Sequence, residues 1–197
     1  MPATLILASA SPRRRELLQL LGYPFLVDAP EVDETCPLGA REAVQELSRR
    51  KALAAAALHP GCVILAADTL VAIDNVPLGK PADRADAHRM LRMLSGREHH
   101  VYTGVSCVSA QGVLTQGLDA STVRFAGMSD EEIDRYIATG EPMDKAGAYA
   151  LQGGAAAWIE EVRGTPSGVI GLPLPLTRRL LGACLGAPPA CRPESET

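Results

Sequence analysis

Arg13 and Arg14 fall in the first turn of a helix that Ser11 caps and Pro12 opens. At that end the peptide dipoles already sum to about half a positive charge, and a cation costs about 0.3–1 kcal/mol unless an anion is near. At about 100° per residue both arginines project to the side of Leu17, Leu18, Leu20 and Leu21, whereas Arg15 projects to water. Lys51 repeats the anomaly, lying inside the apolar stripe Val44, Leu47, Ala54, Ala55 and Leu58 of a second helix. A third cation, Lys80, sits in a Gly-Lys-Pro loop. Each inward cation pairs with a carboxylate, lays its stem along apolar surface, or receives an anion from outside. The carboxylates are equally out of place: Asp68 ends the most apolar strand of the chain, and Asp33 and Glu34 follow Val32 in a loop. With Ser9, Ser11 and the N–H groups of a helix N-terminus, these side chains suit a phosphate chain carrying Mg²⁺. Arginine forks onto two phosphate oxygens, and magnesium takes one or two carboxylates plus phosphate and water.

Other chemistries find less support. The chain has no GxxxxGK[ST], no GxGxxG after a strand and no GxSxG. His59, His88, His99 and His100 lack metal spacing; His99 and His100 alternate on a strand, one packed and one exposed. Cys36, Cys62, Cys107, Cys184 and Cys191 contain no CxxC pair and read as reduced thiols. Trp158, Met90 and Met93 read as packing residues.

The elements that must position these groups follow from period and punctuation. Residues 4 to 8 read as a buried strand, followed by a helix from Pro12 that Gly22 closes. A helix spans about 41 to 58, a strand runs from Cys62 to Ala67 and resumes beyond Asp68, and Asp74-Asn75 turns the chain. A helix at 83 to 94 precedes strands at 101–108 and 113–125, joined at Gln111-Gly112. Ser129 to Glu132 is a capping box opening a helix to Gly140. Residues 145 to 154 are irregular, strands are expected near 156–163 and 168–172, and a last helix ends near Leu185. The interleaving predicts an α/β or mixed α+β domain over residues 1–185, covered by helices on both faces. Residues 186–197 read as a disordered tail.

At 197 residues, 47% hydrophobic and 21% charged, the chain can bury one core. A net charge of −4 argues against a general nucleic-acid or membrane-surface binder. No signal segment or apolar run long enough to span a membrane is read, which places the protein in the cytoplasm.

In order along residues 4 to 182, the chain carries Leu-Ile-Leu-Ala-Ser-Ala-Ser-Pro-Arg-Arg-Arg-Glu-Leu-Leu, Val-Asp-Glu (32–34), Lys51-Ala52 and Ala-Ala-Asp-Thr (66–69). It continues with Gly-Lys-Pro (79–81), Leu-Ser-Gly (94–96), Thr-Gly-Val (103–105), Glu-Pro-Met-Asp-Lys-Ala-Gly-Ala-Tyr (141–149), Gln152-Gly153 and Gly-Leu-Pro-Leu (171–174). This collinear set resembles the Maf family of nucleoside triphosphate pyrophosphatases. The resemblance implies a mixed α/β fold similar to inosine-triphosphate pyrophosphatases, with a long twisted mixed sheet in two lobes and a nucleotide cleft between them, and conversion of a nucleoside triphosphate and water to the monophosphate and pyrophosphate. It implies Asp68 as the proton acceptor, and Glu34 with Asp68 as ligands of Mg²⁺ or Mn²⁺. It assigns Ser9, Ser11, Arg14, Lys51, Lys80 and Lys145 to the phosphates. Arg13, Thr69 and Gln152 match the subgroup that acts on dTTP and UTP, modified pyrimidine nucleotides included. A subgroup acting on 7-methyl-GTP, another purine triphosphate, or a non-catalytic nucleotide-binding regulator of cell division are the alternatives. Homodimerisation rests on the resemblance alone. Two stretches depart from the pattern: Gly-Thr-Pro-Ser-Gly-Val at 164–169 lacks the usual aromatic and Asn, and Arg50 replaces an acidic or amide residue.

Overall fold

Every β-strand but one hydrogen-bonds into a single path of a seven-stranded mixed sheet, seen in a computed structural model that describes residues 3–186. The strands are β1 (Leu5–Leu7), β2 (Phe25–Val27), β3 (Val63–Ile73), β4 (Val76–Leu78), β5 (Glu98–Val108), β6 (Leu114–Phe125) and β7 (Ile159–Arg163). Their order is β2-β1-β3-β5-β6-β7, with β4 pairing off the path with β3. The helices are α1 (Pro12–Gln19), α2 (Ala40–Leu58), α3 (Arg84–Leu94), α4 (Asp130–Ala138), α5 (Pro166–Ile170) and α6 (Leu174–Leu185).

The central strand β3 explains the architecture. Its even-numbered residues Ile64 and Ala66 pack with Ala52 and Ala55 of α2. Its odd-numbered residues Val63, Leu65 and Ala67 pack with Leu17 and Leu18 of α1 and with Leu176, Leu180 and Leu181 of α6. Further along the same odd face, Val71 and Ile73 enter a separate cluster with Ala87, Met90 and Leu91 of α3 and Ile133 and Ile137 of α4. One strand of alternating direction thus serves three apolar clusters.

Along its other edge β3 changes partner. Residues 63–65 pair in parallel with β1, residues 71–73 pair antiparallel with β4, and no residue from 66 to 70 has a partner on that side. The opposite edge is paired continuously with β5 from Ile64 to Ala72. Asp68 lies inside this gap, at the sixth of the strand's eleven residues, and not at a strand end as its interruption of the apolar run suggested. Ordinary strand pairing carries on past a buried carboxylate because β5 satisfies the backbone there.

Several boundaries differ from those read by pattern. α1 ends at Gln19, with Gly22 in the left-handed region three residues later, so Leu20 is 72% exposed and leaves the apolar stripe. Residues 168–172 do not form a strand. Pro166 opens a short helix there, and Gly171, at φ 131°, ends it. Residues 154–158 make a 3₁₀ turn before β7 begins at Ile159. The short strands β2 and β4 carry too few residues to show a period. The capping box at Ser129 and Glu132 forms as read, and Asp74 and Asn75 both take positive φ, as a tight two-residue hairpin requires. His99 is buried and His100 exposed. Cys36, Cys62, Cys107 and Cys184 are free thiols. Apart from Gly186, the tail expected at 186–197 lies outside the described residues, as does Cys191. Among the described residues no helix is long and apolar enough to cross a membrane.

Candidate active site

The gap beside β3 opens into a cleft of about 1010 Å³, lined by β3, the β1–α1 loop, the loop before α2, the Gly79-Lys80 turn and residues 144–152. Eleven of the side chains singled out by sequence reach one region: Ser9, Ser11, Arg13, Arg14, Glu34, Lys51, Asp68, Thr69, Lys80, Lys145 and Gln152 line it. Asp33 turns away from it and caps its own loop, accepting the Thr35 N–H at 2.8 Å.

Asp68 is 8% exposed. Lys51, projecting from α2, donates to Asp68 Oδ1 at 2.6 Å and lies 2.7 Å from Glu34 Oε1. The bond from Lys51 holds the Glu34 carboxyl below the usual Glu range, against a smaller opposing effect of burial. Two carboxylates thus converge on one ammonium at the cleft floor. Lys51 reaches this point because α2 crosses β5 closely at Gly104, the residue paired with Asp68. A Cβ on Gly104 would lie 2.3 Å from the carbonyl oxygen of Val44.

Arg14 is held differently. Its Nε donates to the Gly171 carbonyl at 2.9 Å, Nη1 to Ser9 Oγ at 3.2 Å and Nη2 to Thr69 Oγ1 at 3.2 Å. All three acceptors are neutral. Removal from water lowers the Arg14 pKa, and the negative charges of Asp68 and Glu34 oppose that shift. Three of the five guanidinium N–H groups are therefore engaged in holding the side chain still, and two remain for an anion. Ser11 keeps its expected place as N-cap, accepting the Arg14 backbone N–H at 3.4 Å.

Across the cleft, Arg13 Nη1 lies 3.7 Å from Asp144 Oδ2, and Lys145 bonds to the same carboxylate and to the Glu141 carbonyl. Lys80 and Gln152 are exposed in the lining. The Lys80 turn is tied to the 145–148 segment through Gly147 N–H to Gly79 O at 3.0 Å.

Three contributors escaped the sequence reading. Asp144, although part of the motif, was given no role and joins two of the cations. Arg50 donates to the carbonyls of Asp33 and Thr35 at 3.0 and 2.9 Å, which fastens the loop bearing Glu34 onto α2. Thr103, buried on β5, bonds to Thr69. Arg50 left a signal as the departure beside Lys51, and Asp144 and Thr103 lie within the shared motifs, but which groups these two meet depends on tertiary contacts. The unusual 164–169 stretch forms α5 and supplies carbonyls to Thr103 and, through Gly171 beyond its end, to Arg14.

As a metal site, the donor set is small: among the described residues no group of three or more His, Cys, Asp or Glu side chains could hold a metal ion. Two carboxylates already directed at a common cation do fit Mg²⁺ or Mn²⁺, which complete their shells with phosphate oxygens and water.

A sequence model of the family described as Maf-like protein matches residues 4–184. A protein of Symbiobacterium thermophilum named dTTP/UTP pyrophosphatase is 51% identical over 179 residues, covering 90% of this chain and 92% of that one. One of the same name from Anaeromyxobacter dehalogenans is 51% identical over 187 residues, with 92% and 94% covered, and one from Bacillus mycoides is 44% identical over 174 residues, with 86% and 90% covered. A solved nucleoside-triphosphatase / dITP/XTP pyrophosphatase from Mycobacterium abscessus is similar only at TM-score 0.42 and 17% identity, over 64% of this chain and 75% of that one, a likeness too weak to argue from.

Proposed function

This chain belongs to the family of Maf-like proteins, and from that premise we propose that it hydrolyses dTTP and UTP to the monophosphate and pyrophosphate. The relatives that bear this name span nearly the whole chain, which supports carrying the activity over. The observation that carries the chemistry is the Lys51–Asp68 pair on the unpaired stretch of β3, where a carboxylate otherwise buried in a strand faces an open cleft.

In this reading Asp68 accepts the proton of a water that adds to the α-phosphorus, and the bond from that phosphorus to the α–β bridging oxygen breaks with pyrophosphate as leaving group. Arg14, Lys51, Lys80 and Lys145, with the hydroxyls of Ser9 and Ser11, bind the phosphates. Their preset charges stabilise the negative charge that shifts onto the leaving oxygens without reorganising during the reaction. Glu34 and Asp68 would hold Mg²⁺ or Mn²⁺, which supplies further neutralisation of phosphate charge when bound. Arg13, Thr69 and Gln152 set the accepted base, Arg13 and Gln152 by offering hydrogen bonds to pyrimidine carbonyls and ring N–H. The family resemblance also supports a homodimer working in the cytoplasm, the first of which light scattering checks.

Purified protein with Mg²⁺ should release pyrophosphate, not orthophosphate, from dTTP or UTP, and EDTA should stop it. Asp68→Asn should lose at least about a hundredfold in rate, the usual worth of a positioned base. Undiminished turnover in that variant removes Asp68 from the role. A preference of tenfold or more for 7-methyl-GTP over UTP reverses the assignment of Arg13 and Gln152, and nucleotide binding with no product leaves a regulator instead of an enzyme.

A further inference from the structure

Thr103 is fully buried on β5, directly opposite Thr69 in the β3–β5 register, and so cannot touch a ligand. Its single hydroxyl proton is committed, because Thr103 Oγ1 donates to the carbonyl of Gly168 at 2.9 Å. The 2.9 Å contact between the two threonine hydroxyls therefore has one possible direction: Thr69 donates and Thr103 accepts. With its proton spent, Thr69 Oγ1 faces Arg14 Nη2 with lone pairs only, the state that a guanidinium needs in a partner. A second path leads to the same arginine. The Gly168 carbonyl that Thr103 anchors belongs to α5, and Gly171 at the end of α5 accepts Arg14 Nε.

We propose that Thr103 is a positioning residue that holds the Arg14 guanidinium for the phosphate chain, acting through Thr69 on one side and α5 on the other. The proposal rests on the reading of Arg14 as a phosphate ligand. Among the described residues the three groups that accept hydrogen bonds from the Arg14 guanidinium are all neutral, so its orientation depends on the order of these acceptors. Removing the Thr103 hydroxyl frees the Thr69 proton to point at Arg14 and leaves the Gly168 carbonyl without a partner.

Inorganic triphosphate, which has phosphates and no base, separates this role from base selection. In Thr103→Val its dissociation constant, measured by titration calorimetry with Mg²⁺, should rise about tenfold, the loss expected when one buried polar link misaligns a charged donor. The kcat/KM values for UTP and dTTP should fall by a similar factor. Thr103→Ser, which keeps the hydroxyl, should return both quantities to within about threefold of the parent. If Thr103→Val does not fold, Thr103→Cys, whose thiol is a weak donor, should show the same loss of triphosphate binding. Triphosphate binding within twofold of the parent in the Val or Cys variant overturns the proposal, as does a Ser variant no better than Val. A change in nucleotide ranking at constant triphosphate affinity also overturns it, by placing Thr103 behind base choice. Because calorimetry needs no turnover, a parent protein that binds triphosphate but hydrolyses nothing defeats the proposed activity and leaves the Thr103 outcome readable.

Discussion

The His99 imidazole should make this protein lose stability well above the pH at which carboxylates titrate. His99 is 1% exposed, edge-on to Phe125 and Tyr149 with ring centroids 5.1 and 5.3 Å away, and its Nε2 shares a 2.8 Å hydrogen bond with the Tyr149 hydroxyl. Among the described residues its Nδ1 has no hydrogen-bond partner. Burial, with a smaller push from His100, lowers its pKa from 6.5 to about 4. Between those values the unfolded chain binds a proton that the folded chain refuses. The stability associated with neutral His99 is thus whole above pH 6.5 and is lost as pH falls toward 4, by about 1.4 kcal/mol per unit. The full loss is about 3 kcal/mol, most of it spent by pH 4.5. Carboxylates with lowered pKa, Glu34 among them, withdraw their own contribution only below their unfolded values near 4.5, so the interval from pH 7 to 4.5 belongs mainly to histidine. Urea unfolding at both pH values measures it: with a slope of about 2 kcal/mol/M the parent midpoint should fall by about 1 M. His99→Phe will be weaker at pH 7, since Tyr149 loses its partner, but its midpoint should change far less between the two conditions. Equal changes in parent and variant would refute the assignment.

Gly104→Ala should destabilise the fold by about 1–3 kcal/mol, because a Cβ 2.3 Å from the Val44 carbonyl oxygen must push α2 off β5. Thermal unfolding checks the loss, and activity at low temperature should fall too as Lys51 retreats from Asp68. Asp144→Asn removes a largely exposed carboxylate that, under the proposed function, competes with substrate for Arg13 and Lys145. Exposed pairs are worth little, so KM for UTP should drop by less than about threefold in steady-state assays with kcat unchanged. A rise in KM would mean that Asp144 orders these cations more than it masks them.

Much of this site was legible because its chemistry breaks local rules. Cations in a helix's first turn, a lysine in an apolar stripe and an aspartate in an apolar strand each conflict with burial energetics, and all of them line the cleft. Elements also followed from period and punctuation where these are strong, as at α2, α3 and the capping box of α4. They failed where elements were short or where a proline and a positive-φ glycine outweighed an apolar run, as at α5.

By itself, then, the sequence determined which charged side chains lie where burial demands a partner for them, since helical phase and strand alternation depend only on neighbours along the chain. Tertiary structure alone decided the rest. Asp68 is central in β3 rather than terminal, because only pairing shows that β1 stops at Leu65 and β4 starts at Val71, leaving the edge between them open. Among the described residues Lys51 contacts two carboxylates while the Arg14 guanidinium bonds to neutral oxygens, because Glu34, Thr69, Thr103 and Gly171 come from distant stretches that meet only when the sheet closes. Hydrogen-bond direction and desolvation act over a few ångströms of space, and no spacing along the chain encodes them.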